Sequence, residues 1–166
     1  MIKDYVVSDE FVKYSGPFEL KELYKLITGF LRDHHYTKVE KDQFEKRTEE
    51  GRLIELDFRP YKIVSEAIKM EIFMLIKISN LKDISVELHG KKKTIQQADV
   101  MVQFRSFIYK DYVSYWEKNP VIFFIKTMID KYIFKTHLAD FRDELVDDTR
   151  DLQYQIKSFL NLYTRK

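Results

Sequence analysis

The chain has 166 residues, enough for one domain with a sizeable core, and its hydrophobic fraction of 45% lies in the globular range. Lys and Arg number 29 against 27 Asp and Glu, so the net charge of +2 supplies no long-range field favouring nucleic acid or an acidic substrate. Cysteine is absent, which excludes disulfides, thiolate catalysis and Cys-ligated zinc and fits a reducing compartment, the cytoplasm being the expectation.

The N-terminal run MIKDYVVSDEFVKYSG is too charged for a signal peptide, and no later apolar run is long enough to span a membrane. Gly and Pro are few and no stretch reads as a linker, so one α+β domain over residues 1–166 is expected. In chain order, Tyr5 to Tyr14 reads as a short or edge strand interrupted by Asp9-Glu10. Ser15-Gly16-Pro17 then offers a cap-capable residue and a proline suited to a first helical turn. Leu20, Leu23, Tyr24, Ile27, Phe30 and Leu31 follow at three- and four-residue steps, predicting an amphipathic helix ending near His34-His35.

Thr37 to Glu49 is so charged that it suits a sheet edge, and Glu49-Glu50-Gly51-Arg52 reads as a hairpin turn. In Arg52 to Arg59, Ile54, Leu56 and Phe58 alternate with polar residues, marking a half-buried antiparallel strand. Ala67 to Ser79 is the most regular strand of all, with Ile68, Met70, Ile72, Met74, Ile76 and Ile78 on one face. Its other face is polar at the ends and apolar at Phe73 and Leu75. Ser79-Asn80 is expected to end it, with a separate shorter strand at Ile84, Val86 and Leu88 and a turn at His89-Gly90 followed by Lys91-Lys92-Lys93. The return passes Ile95 into a strand from Asp99 to Asp111, whose second face carries Met101, Arg105, Phe107 and Tyr109.

From Asn119-Pro120 the period becomes helical, first apolar nearly all round and then, after a possible cap at Thr136, as a seam of Leu138, Leu145, Leu152 and Phe159. The order predicts α+β: a curved antiparallel sheet of five to six strands, packed on one face by an N-terminal helix and long C-terminal helices. In outline this layout resembles helix-grip domains, whose sheet curls around a C-terminal helix and often leaves a cavity; the resemblance is one of architecture.

No reaction signature is present: there is no nucleophile elbow, phosphate loop, dinucleotide fingerprint or zincin motif. The four histidines are scattered, and His34-His35 suits a helix end through the local dipole. Asp140, Asp143, Glu144, Asp147, Asp148 and Asp151 form an acidic band that reads as a solvated helix face rather than a cation site. Lys91-Lys92-Lys93 with Arg105, Phe107 and Tyr109 would suit a single strand of nucleic acid, but the balanced charge argues against that partner. The expectation is therefore a non-enzymatic binding or scaffold domain with no cofactor and no metal.

Its partner surface, for another protein or a second copy of the chain, is sought among Phe73, Leu75, Met101, Phe107 and Tyr109 and along Leu145, Leu152 and Phe159. A second reading is a carrier of a hydrophobic small molecule, with Met70, Met74, Phe104, Phe124 and Met128 lining a pocket between sheet and C-terminal helix. A third is a membrane-surface role for Asn119 to Lys135 and the Trp116 that precedes it, in which Trp116 and Phe123 would meet lipid and Lys126 and Lys131 would reach phosphate.

Overall fold

The structure is a computed structural model and describes residues 2–65, 67–110, 120–129 and 135–163. It is α+β, with an open, curved, six-stranded antiparallel sheet. The elements are β1 (Ile2–Phe18), α1 (Leu20–Asp33), β2 (Glu40–Thr48), β3 (Gly51–Phe58), β4 (Tyr61–Ile63), β5 (Ile68–Leu88), β6 (Lys91–Lys110), α2 (Pro120–Ile129) and α3 (Lys135–Leu162). The strand order is β1-β6-β5-β3-β2, with β4 also paired to β5.

Strand β5 supplies Ile68, Met70, Ile72, Met74, Ile76 and Ile78 to the core, each at most 4% exposed, and β6 supplies Val100, Val102, Phe104 and Ile108 directly opposite. Helices α1 and α3 cover this face together: Leu23, Ile27 and Leu31 join Leu145, Leu152, Ile156 and Leu160 in the same apolar cluster. Under α1 the fit to the sheet is close. The void between Leu23, Ile27, Leu56, Ile76 and Ile78 is about 10 Å³, at the lower limit for one water.

Three of the differences from the sequence expectation are set by strand pairing. Ser15-Gly16-Pro17 does not start the helix, because β1 stays paired with β6 as far as Phe18 opposite Gln96; α1 begins at Leu20 after Glu19, whose side chain makes no cap. Leu20 N–H is satisfied instead by the Gln96 side chain at 3.0 Å. At the other boundary, Ser79-Asn80 does not end the central strand, since Asn80 takes a positive φ of 54° and forms a bulge through which β5 runs on for 21 residues in all. The third difference is Tyr61–Ile63, which lies outside the expected strands and pairs with β5 as β4.

The bulge changes which residues face the helices. Before it, even-numbered β5 residues face the core; after it, Ser79 pairs with Asp99 but Lys82 with Gln97, so Ile84 and Val86 swing to the opposite face beside Ile95. Gly51 in the β2–β3 turn abuts the same bulge. A Cβ there would lie 2.9 Å from the Asn80 carbonyl carbon and the Leu81 oxygen, and its φ of 138° also favours glycine. At the far end, His89 and Gly90 have φ of 52° and 77°, the positive pair a two-residue hairpin turn needs.

Candidate functional site

The sheet's second face is free of helices among the described residues, and the register gathers on it five residues that the sequence singled out. Phe73 lies opposite Arg105, Leu75 opposite Gln103, Met101 opposite Lys77, Phe107 opposite Glu71 and Tyr109 opposite Lys69. Cations lie over the rings. Arg59 and Arg105 stand 5.2 and 5.6 Å from the Phe73 ring centre, and Lys3 is 3.9 Å from that of Phe107. The Tyr5 ring meets Phe107 edge-on at 4.8 Å, leaving Phe107 buried while Tyr5 is 58% exposed.

Acids balance those cations. Asp9 accepts from Arg105 Nε at 2.5 Å, which holds its carboxyl below the ordinary range, and Asp57 accepts from Arg59 through both oxygens at 3.1 and 3.0 Å. The face is thus aromatic and charged but not basic. Lys92 lies thirteen residues along β6 from Arg105, about 40 Å at strand rise. The lysine tip and the aromatic rows therefore do not form one surface, and Lys93 is itself paired with Glu19 at 2.8 Å.

The other partner candidates are spent internally. Leu145 and Leu152 are fully buried and Phe159 packs on the same cluster, so the leucine seam is the inner face of α3 and not a free surface. The proposed ligand wall is likewise not assembled. Met70, Met74 and Phe104 are completely buried core residues, whereas Phe124 and Met128 are 64% and 45% exposed on α2. Trp116 and Lys131, and the side chains of Phe123 and Lys126, lie outside the described residues.

Exposed apolar surface is concentrated on α2. Val121, Phe124, Ile125 and Met128 recur at three- and four-residue steps and are 66%, 64%, 50% and 45% exposed, which makes one continuous stripe. The whole helix contains a single charged residue, Lys126. No described helix is long and apolar enough to cross a membrane.

A polar cluster that the sequence reading missed joins α3 to the end of α1. Tyr36 donates to Asp148 Oδ2 at 2.8 Å, and His34 Nε2 lies 4.0 Å from Asp148 and 3.8 Å from Asp151. Lys62 on β4 reaches Glu144 at 2.5 Å. Burial raises the Asp148 carboxyl above its ordinary range, opposed by the Tyr36 hydroxyl and by His34 and Lys62. Tyr36 is raised too, by burial first and then by Asp148. The acidic band is therefore divided: Asp140, Asp143 and Asp147 are exposed, while Glu144, Asp148 and Asp151 turn toward α1 and β4. Only a long-range pairing between residues 34–36 and 144–151 could have revealed this, and the sequence carries no sign of it.

Alongside, Thr149 donates to the Leu145 carbonyl at 2.7 Å, leaving the Ser106 hydroxyl to donate to Thr149 at 3.0 Å. Among the described residues no buried side-chain polar atom lacks a partner, and no group of three or more His, Asp or Glu is placed to hold a metal ion. No known protein-family model matches the chain, and no curated protein matches it in sequence.

Proposed function

We propose that the chain is a non-catalytic binding domain that works through protein–protein contacts, self-association first among them. The observation that supports this most is the α2 stripe of Val121, Phe124, Ile125 and Met128, which exposes four large apolar side chains in ten residues. Such a stripe is self-complementary when two copies meet antiparallel, and the sequence of Pro120–Ile129 contains no acid and one base, Lys126. The helix-free sheet face adds Arg, Tyr, Phe and Met, the side chains enriched in protein interfaces. A helix-grip-like scaffold, with the sheet curved around α3, belongs to the same reading.

Sedimentation equilibrium tests it. The wild-type chain is expected to associate with rising concentration and Phe124→Glu to remain monomeric; a monomeric wild type at all concentrations would overturn the proposal. A membrane-surface role is the second reading, favoured by the same stripe and by a surrounding sequence that carries Lys118, Lys126, Lys131 and Lys135. It predicts binding to anionic vesicles that weakens with salt, and no binding at low salt would remove it.

A further inference from the structure

A groove on the core side of the sheet, remote in sequence from α2, has the shape and charge of a small-molecule site. It is open to solvent and offers about 720 Å³ between one flank of α1 and the inner surface of β3, a volume within the range of ligand pockets. Its floor is apolar, formed by Leu20, Ile54 and Leu56.

The groove exists because of what β2 lacks. The register sets Gln43 opposite Leu56 and Glu45 opposite Ile54, so the β2 side chains sharing the face of Ile54 and Leu56 are polar, and every β2 residue is exposed. The one large apolar residue of β2, Phe44, pairs with Glu55 and faces the other way. The apolar strip of β3 is consequently covered from the α1 side alone.

The rim is predominantly cationic. Lys21 and Lys25 lie one turn apart on α1, Arg52 stands across from them on β3, and Glu40 is the one acid among the lining residues. Lys25 pairs with Glu22 at 3.3 Å, and Arg52 with Glu45 at 3.5 Å and Asp83 at 3.6 Å; all are exposed or partly exposed pairs that cost little to exchange. Lys21 makes no ion pair among the described residues.

We infer that this groove binds an amphipathic anion, a molecule with an apolar body against Leu20, Ile54 and Leu56 and a carboxylate or phosphate head held by Lys21 and Lys25. The apolar floor supplies affinity and the lysine pair supplies the sign of charge. Carboxylate and phosphate heads share the recognising chemistry.

Displacement of a fluorescent undecanoate from the full chain tests this, with dodecanoate, dodecyl phosphate and uncharged dodecanol as competitors. The expected result is displacement by one or both anions at least about tenfold better than by dodecanol, corresponding to about 1.4 kcal/mol. Which anion competes better identifies the head group. Lys21→Glu with Lys25→Glu should remove the preference for anions, and Gln43→Trp, which fills the groove from an exposed position, should abolish binding. Phe124→Glu should bind the probe as the wild type does, which separates this site from the α2 stripe. No binding by the wild type, equal competition by dodecanol, unchanged binding in the lysine or Trp variants, or loss of binding in Phe124→Glu would each overturn the inference.

Discussion

Helices α2 and α3 both carry apolar stripes at helical spacing, yet they end in opposite environments. Leu145, Leu152, Ile156 and Leu160 of α3 are at most 1% exposed, whereas Val121, Phe124, Ile125 and Met128 of α2 are 45–66% exposed. The difference lies in what else each helix carries. Helix α3 has a charged outer side, and Thr149, Asp148 and Glu144 give it specific partners on β6, on the segment that follows α1 and on β4, so its position on the sheet is fixed by polar as well as apolar contacts. Helix α2 has Lys126 as its only charge and no acidic residue. Apolar periodicity tells which side of a helix must be covered; polar complementarity decides by what.

Truncation should separate the two helices most sharply. Leu152→Ala removes a completely buried side chain and is expected to cost about 2–5 kcal/mol in urea unfolding. A loss below about 0.5 kcal/mol, the range of ordinary surface substitutions, would mean that α3 is not held on the sheet as described. Next in size is Tyr36→Phe, which leaves Asp148 in place without its hydroxyl donor. About 1–3 kcal/mol should be lost, and an unchanged urea midpoint would show that the α1–α3 polar contact does not form.

The pH dependence of the same contact is smaller and has a definite sign. The folded Asp148 carboxyl is raised above 3.8, so between that value and the raised one the native state holds a proton that the unfolded chain has lost. Stability from this group is present below the window and falls as pH rises through it. Asp148→Asn keeps an oxygen for Tyr36 but cannot ionise, so its urea midpoint should fall less with rising pH across the window than that of the wild type. Parallel curves would contradict the account. The smallest effect belongs to α2: Phe124→Ala is expected to change the stability of the isolated chain by no more than about 0.5 kcal/mol. A loss of several kcal/mol would make that stripe a core contact.

Much of this fold was legible in the sequence, and where reading failed the cause was tertiary. The alternation in Ala67 to Ser79 placed the central strand correctly because one face is wholly apolar, and the stripe from Leu20 to Leu31 placed α1 for the same reason. Asn80 looks like a strand end because asparagine favours positive φ in turns and in bulges alike. Ser15-Gly16-Pro17 looks like a helix start, but the pairing of β1 with β6, at least eighty residues away, governs that segment. The five residues of the outer sheet face could be listed from the sequence, and the register brought them side by side. The leucine seam gave the right period and the wrong destination. The groove at β3 was invisible beforehand, since it depends on β2 presenting Gln43 and Glu45 where an apolar side chain would have closed it.

The contrast between the two helices is tested most directly by a photo-reactive phenylalanine analogue placed at Ile125 on α2 and, as a control, at Tyr154 on α3. Position 154 is 70% exposed but belongs to a polar surface, whereas position 125 is 50% exposed within the apolar stripe. The account predicts that irradiation of the purified chain yields a covalent dimer from position 125 and only unmodified chain from position 154. No dimer from position 125, or equal yields from both positions, would contradict it.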